Sequence, residues 1–550
     1  MRNIKHLFIV AAVGLVPVAG MSQAAVDLYN LSRPDLRGTA RFMSMGGAFT
    51  ALGGDISSLN QNPAGIGVYR SSEIGMTLNL DFQSTSTEAQ GSKISDSQTR
   101  FSFNNFGYIG SISTMSDVMP TFSWGATYAR TASFDRIFTG GIGNLNGASL
   151  SNYVAALTNS EGIEPGEMLS GDNYNPWLDG NAPWLSTLAY QGYMINDSEV
   201  DGKVNYSGLM GNGTTGSASF QVREKGYVDE YSINFGGNLY NTVYWGIGLG
   251  ITDINYTQLS YYQENLDNAY IAAESKVNGE YNIVNGKADY RLSNYLNSNG
   301  SGFNLKLGVI VKPINELRFG FAVHTPTWYS MTDTYWGTVA YRYTPQGQNS
   351  FYDNMTDRQN PAPETNDGYD SWNDYNMRTP WRMMFGVAGV IGGQGILSLD
   401  YEYRGTSSTH ISDVQGEGYI NDDMKTYFKG TNILRLGAEY RITPQFSLRA
   451  GYSWESSPVK KEAANDGEVI WTAGTIPSYT FDKTTQYITA GLGYRYKGFY
   501  ADLAYVHKNR ESTYHAFSPV LEDTALLQGS PSAKVTDNNN QVILSLGYKF

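Results

Sequence analysis

The sequence of 550 residues contains no cysteine. Disulfide scaffolding, thiolate metal sites and cysteine nucleophiles are therefore excluded. Charge is also scarce. Asp, Glu, Lys and Arg make up 16% of the chain, against roughly 25% in ordinary soluble domains. Beyond the first two dozen residues no run of 18 or more apolar residues offers a membrane-spanning helix. A mean hydropathy of −0.36 likewise excludes a bundle of such helices. The charge that is present sums to −13, which argues against nucleic acid and against anionic solutes steered from afar. Histidine is rare, with His6, His324, His410, His507 and His515 as the whole set. They form no close pair for haem or another metal and no recognisable catalytic set. No Gly-x-x-x-x-Gly-Lys loop is present, so no nucleotide-driven step is visible. These absences lead us to expect neither an enzyme nor a cofactor.

What the chain has in plenty is glycine and tyrosine, 61 and 41 residues. Tyr and Trp belts suit a protein whose wall meets lipid. Period-2 alternation runs through the chain, which is the strand signature. Phe303, Leu305, Leu307, Val309 and Val311 share one face, opposite Asn304, Lys306, Gly308, Ile310 and Lys312. Phe446, Leu448, Ala450, Tyr452 and Trp454 lie opposite Ser447, Arg449, Gly451 and Ser453. Val542, Leu544, Leu546, Tyr548 and Phe550 repeat the pattern. A Lys or Arg facing mid-membrane lipid costs about 2–4 kcal/mol. The uncharged apolar face is thus the outer one. The other face, with its Gly, Ser, Lys and Arg, suits a wet or plugged lumen.

Fourteen such segments follow, near 72–84, 98–110, 119–132, 228–240, 242–263, 302–312, 316–329, 380–391, 395–407, 429–441, 445–456, 484–496, 498–510 and 540–550. Their connections alternate between short turns, such as Tyr240-Asn241-Thr242, and long loops at 133–227, 264–301, 330–379, 408–428, 457–483 and 511–539. Short periplasmic turns and long extracellular loops are the habit of outer-membrane barrels. The even count then predicts both termini on the periplasmic side. A spanning sheet must close, because lipid satisfies no backbone polar group. The fold class expected is all-β, a transmembrane antiparallel barrel of about 14 strands. Its lumen is too wide for side chains alone to fill.

The filler is expected at the N-terminus. Residues 1–24 read as a secretory signal, with Arg2 and Lys5, an apolar run from Leu7 to Val18, and Ser22-Gln23-Ala24 at the cleavage point. Loss of Arg2 and Lys5 takes the net charge from −13 to −15. Residues 25–70 are expected to form a plug and 71–550 the barrel. Within the plug, 38–67 read GTARFMSMGGAFTALGGDISSLNQNPAGIG. Phe42, Met43, Met45, Phe49, Leu52, Ile56 and Leu59 call for burial. Ser57-Ser58 to Asn62-Pro63 predicts one helical turn ended by proline.

This stretch resembles the N-terminal hatch of FadL/TodX-type outer-membrane transporters of long-chain fatty acids and other hydrophobic compounds. The matching features are the Gly46-Gly47 lead, Asp55, and Asn62-Pro63-Ala64. The resemblance implies a passive channel for hydrophobic molecules, gated by the plug at Gly46, Gly47, Asp55, Asn62, Pro63 and Ala64. It also implies partners: a long-chain fatty acid or similar ligand, outer-membrane lipid and lipopolysaccharide, and the barrel assembly machinery, which reads a terminal aromatic such as Phe550. A plugged barrel works alone, so a monomer is expected. An extracellular apolar groove is implied in loop 133–227, where Ala155-Ala156-Leu157, Met168-Leu169, Trp177-Leu178 and Trp184-Leu185 are available. These residues can equally pack the loop on itself. A lateral opening is implied in the third strand, at Pro120, Gly125 and Ala126.

Lumenal cations Lys306, Arg318, Arg435, Arg449 and Arg495 can meet a ligand carboxylate or pair with Asp400, Glu402, Glu439 and Asp502. We take Trp177, Trp184, Arg318, Arg435 and Arg449 as ligand-binding candidates. The loop 352–376, with Asp353, Asp357, Asp367, Asp370 and Asp374, has oxygen ligands for Ca²⁺ but no EF-hand pattern. A short helix is expected at Asn268–Ser275. A general diffusion porin and an adhesion barrel acting through its loops remain the alternative readings.

Overall fold

The computed structural model describes residues 23–550 except 201, 278–279, 351, 356–361 and 523–524. The expected signal segment thus lies outside the described residues up to position 22. Fourteen antiparallel strands close on themselves. In chain order they are β1 (Glu73–Ala89), β2 (Ser92–Ser113), β3 (Thr121–Ser133), β4 (Thr215–Leu239), β5 (Val243–Val277) and β6 (Glu280–Ile314). Two interrupted strands follow, β7 (Leu317–His324 with Trp328–Pro345) and β8 (Ser371–Arg378 with Arg382–Ile391). The rest are β9 (Gly395–Arg404), β10 (Thr431–Arg441), β11 (Phe446–Glu455), β12 (Tyr479–Tyr496), β13 (Phe499–His515) and β14 (Ser532–Lys549). The seam is a continuous ladder between β1 and β14, from Glu73↔Lys549 to Glu88↔Lys534. No helix among the described residues is long and apolar enough to cross a membrane.

Each strand alternates as its sequence does. Phe303, Leu305, Leu307, Phe446, Leu448, Val542 and Leu544 are exposed on the outer wall, while Lys306, Ile310, Arg449 and Ser545 are buried in the lumen. The short turns gather at one end, here called the lower end. Tyr240 and Asn241 both adopt positive φ there, the requirement of a tight hairpin turn whose twist matches its strands.

The upper end departs from the loops expected. β5 and β6 each run 35 residues, roughly three times the 9–11 that cross a bilayer. The span 264–301 is therefore mostly a tall hairpin. Asn268–Ser275 is strand, not helix, with a bulge that puts Asn268 at φ 57°. Its neighbours Tyr262, Leu266 and Ile271 are buried in an apolar core, and that packing outweighs local helix preference. The loop 133–227 holds helices α1 (Leu150–Glu161) and α2 (Trp184–Gln191). These pack on Tyr262, Tyr290, Tyr343, Tyr514 and Phe517 in one apolar core. The start of α1 is fixed by Glu264 of β5. Its carboxylate accepts from Leu150 N at 2.8 Å, Ser149 Oγ at 2.6 Å, Tyr290 OH at 2.5 Å and Tyr262 OH at 3.0 Å.

Residues 24–69 fill the barrel and are almost wholly buried. They form helix α3 (Ala25–Ser32), a single helical turn at Ala40–Ser44, and two 3-10 turns at Ile56–Asn60 and Pro63–Val68. Pro63 therefore opens a second turn as well as ending the first. That fits a residue whose fixed φ suits a first helical position. Inward-facing glycines of the wall make room for this segment. A Cβ at Gly308 would come within 1.9 Å of Asn62 Oδ1, one at Gly320 within 2.1 Å of Thr50 O, and one at Gly451 within 2.2 Å of Gly46 N.

Candidate functional site

The lower part of the N-terminal segment is locked by polar bonds. The Asp55 carboxylate accepts from Thr39 Oγ1 at 2.8 Å and from Ser57 N at 2.9 Å. Asn62 Oδ1 accepts from Ala64 N at 3.0 Å, while its Nδ2 donates to Thr50 O at 2.6 Å. Gly46 and Gly47 take φ of 61° and 73°, left-handed values that cost glycine little. Thr50 N donates to Asp400 at 2.7 Å, and Arg41 pairs with Glu439 at 2.9 Å. Every expected plug residue thus sits in one hydrogen-bonded body joined to the wall. His324 joins it too, with Nε2 2.9 Å from Gln61 O.

Four of the five expected lumenal cations are engaged, while Arg495 is exposed. Arg318 donates to Leu52 O at 2.9 Å. Arg435 donates to Glu402 at 2.7 Å, and Arg449 bridges Glu439 and Asp502 at 2.6 and 2.5 Å. Lys306 pairs with Glu230. Lys306, Arg435 and Arg449 thus pair with wall acids, whereas Arg318 holds a carbonyl of the plug.

Above the plug the lumen divides into two regions of opposite character. One is a small polar cavity. Arg33, Arg37, Arg100, Arg136, Lys508 and Arg510 line it beside Asp35, Asp81, Asp135, Glu224, Asp482 and Asp537. Six cations face six acids, and each belongs to an ion pair. The other region is apolar and filled. α3 lies among Tyr329, Met331, Tyr335, Tyr375, Met377, Ile411, Phe428, Ile476 and Phe481. Helix α4 (Glu417–Tyr427) closes it with Ile420 and Met424. Tyr29 stacks on Phe428 with ring centroids 4.9 Å apart. α3 fills this apolar region.

Two carboxyls stand beside α3, Asp333 buried and Asp27 half-buried. Asp333 receives Gln23 Nε2 and Tyr375 OH, the latter at 3.2 Å, and Asp27 caps Ala24 N at 3.1 Å. Asp333 stands above Phe303 and Trp328, flanked on its strand by Thr332 and Thr334 of the other face. Burial raises each to a pKa of about 7.

Of the aromatic candidates, Trp177 is buried and meets Trp184 edge-on at 5.6 Å. Trp184 borders a narrow slot with Tyr153, Leu157, Pro183, Leu185 and Trp471. Leu178 and Leu169 are exposed. In the third strand, Gly125 and Ala126 are paired on both sides, to Ile109 and Tyr108 of β2 and to Asn234 and Ile233 of β4. Pro120 lies just before that strand, its carbonyl accepting from Thr114 N. In the acidic loop, Asp353 pairs with Arg342 at 3.0 Å, Asp374 accepts from Thr332 at 2.6 Å, and Asp367 accepts from Asn175 at 3.2 Å. Asp357 lies outside the described residues.

Sequence reasoning missed α3 as the occupant of the chamber, and it missed Asp27 and Asp333. The apolar positions Val26, Leu28, Tyr29 and Leu31 were readable as a short buried helix.

The fold and the filled lumen define the class: a closed fourteen-stranded barrel around an N-terminal plug. No protein-family model matches the chain, and no curated protein matches it. Solved structures do. A Pseudomonas aeruginosa FadL homologue superimposes at TM-score 0.50 and 13% identity, covering 97% of this chain and 100% of that one. The Pseudomonas putida toluene transporter TodX gives 0.42 and 12%, over 94% and 99%. The Ralstonia pickettii toluene transporter TbuX gives 0.42 and 13%, over 95% and 100%. The chain has the FadL-type fold.

Proposed function

We propose that this chain is an outer-membrane channel for passive uptake of hydrophobic small molecules, long-chain fatty acids among them, with the N-terminal segment as its gate. The observation that carries this reading is the apolar chamber inside a barrel, stoppered by a short helix of the same chain. A water-filled channel for polar solutes has no use for such a chamber. An apolar molecule gains about 25 cal/mol for each Å² of surface it buries there. It would be captured at the slot beside Trp184 and Trp471 and would compete with α3 for the chamber. The plug body below would hold the lumen shut meanwhile. The 38–67 motif and the FadL-type fold support the same reading.

The test is uptake by intact Gram-negative cells that lack their own transporter of this type. Expression of the chain should accelerate entrance of radiolabelled oleate, toluene or both. Equal rates with and without the chain, for both probes, would refute the proposal.

A further inference from the structure

The segment that fills the apolar region shows what the region accepts. α3 lays Val26, Leu28, Tyr29 and Leu31 against its walls. Ahead of the helix, Gln23 adds one hydrogen-bond donor, its Nε2 donating to Asp333 of β7. Tyr375 OH of β8 donates to the same carboxyl. A carboxylate offers about four acceptor sites, so these two donors leave Asp333 with capacity to spare. Ser298 of β6 is its partner across the ladder and is fully buried, yet the Ser298 hydroxyl makes no hydrogen bond of normal geometry. Gln23 Oε1 is buried without a partner as well. Buried polar groups are normally satisfied, so this place has room for a further polar group than the docked chain supplies.

The charge around Asp333 has one sign. The neighbour that bears on it most by charge is Asp27, and Asp27 in turn feels Glu224. Among the described residues neither Asp333 nor Asp27 is joined to a Lys or Arg. Two cations of the neighbouring cavity are committed elsewhere: Arg136 pairs with Glu224 at 3.9 Å, and Arg33, at the far end of α3, pairs with Asp482. Displacing α3 therefore uncovers an acid in an apolar wall. A hydrocarbon leaves it without the donor that Gln23 supplied, which is unfavourable. A carboxylate brings like charge to it where water is excluded, which is repulsive. A hydroxyl restores the donor, and an ammonium restores it and pairs the charge.

We infer that Asp333 reads the head group of the solute: the apolar chamber takes a molecule with a hydrogen-bond-donating head, a primary amine foremost, ahead of a carboxylate of equal chain length. This rests on the transport reading above and narrows it. A fatty acid meets the demand as the neutral acid, whose O–H is itself a donor. Cleavage after Ala24 keeps the same logic. It removes Gln23 and leaves the α-ammonium of Ala25 one residue along from Ala24 N, from which Asp27 accepts at 3.1 Å.

The test uses the same cells with radiolabelled dodecylamine and dodecanoate at neutral pH, the rate without the chain being subtracted. Chain-dependent entry of the amine should exceed that of the carboxylate about tenfold or more. Asp333→Asn should slow the amine until the two differ by about threefold or less, and Asp333→Glu should keep the gap. Dodecanoate entering the parent cells as fast as dodecylamine refutes the head-group assignment, while toluene entry in those cells shows that transport stands. A gap left unchanged by Asp333→Asn, with the heat-modified shift of the barrel intact on gels, refutes it too. If no probe, toluene included, enters faster with the chain than without it, the transport reading fails and the assignment with it. Should Asp333→Asn not insert, the parent ratio decides.

Discussion

Asp27 and Asp333 set how firmly α3 is held. In the undocked segment a carboxyl ionises near pH 4. Docked, each stays protonated to about pH 7, because burial penalises the charged form. The sign follows directly. Below pH 4 neither state is charged and docking is strongest. Between pH 4 and 7 the undocked carboxyls ionise first, so docking weakens as pH rises, and above pH 7 it levels off. Limited proteolysis within residues 25–37 should therefore accelerate from pH 4 to 7. Asp27→Asn with Asp333→Asn should flatten that profile. A chain cleaved after Ala24 carries its α-ammonium beside Asp27, and a nearby cation favours both carboxylates. The processed protein should lose most of the pH dependence, and a direct comparison of the two forms reads this out.

At the scale of the element, Glu264 ties α1 of the upper loop to β5. Its carboxyl is fully buried, and burial raises its pKa above the ordinary range while four donors hold it down. Glu264→Ala leaves Ser149, Leu150 N, Tyr262 and Tyr290 without their shared acceptor. The cost is about 3 kcal/mol or more if the donors stay buried. Protease should then cut within 143–214 well before the barrel unfolds, while the heat-modified shift of the barrel on gels stays as in the parent.

The strands themselves were legible because lipid on one side and plug on the other force strict alternation. Lys306 between Leu305 and Leu307 announced its own direction. Gly308 and Gly451 on the inner face suited a wet or plugged lumen. The tall hairpin at 264–301 was not legible as strand, since above the membrane both faces meet protein or water and the alternation loses contrast. Nor did the breaks at Pro326 and Pro380 stand out. Each lies at the edge of a good strand pattern, where a proline reads as a simple stop. Pairing of Arg435 and Arg449 with Glu402, Glu439 and Asp502 stood in the sequence as one of two alternatives, whereas the bond from Arg318 to Leu52 O, remote in sequence, was not visible.

For the whole molecule, the N-terminal segment accounts for the closed state. A fourteen-stranded ring has an interior wider than its own side chains fill. Residues 24–69 occupy that space and bond to β2, β6, β7, β9, β10, β12, β13 and β14 around most of the circumference. Deleting 25–69 should turn a silent bilayer trace into steady large conductance. A trace that stays silent, with the barrel shown to be inserted, would mean that the upper helices seal the lumen by themselves. The upper half is itself a small globular layer, with α1, α2 and α4 packed on strands that rise far beyond the apolar belt.

The seam between β1 and β14 fixes an order of events. Ser72, where the plug hands over to the wall, exchanges two backbone hydrogen bonds with Phe550, at 3.1 and 3.0 Å. The filler is thus translated before any of the ring, and the ring's last rung forms at the filler's own root. With glycine-sized clearances at Gly308, Gly320 and Gly451, the filler is too closely fitted to be threaded in afterwards. Closure must draw shut around it, like a cooper's staves raised about a core already standing, and the same chain serves as former during assembly and as stopper once assembly is done.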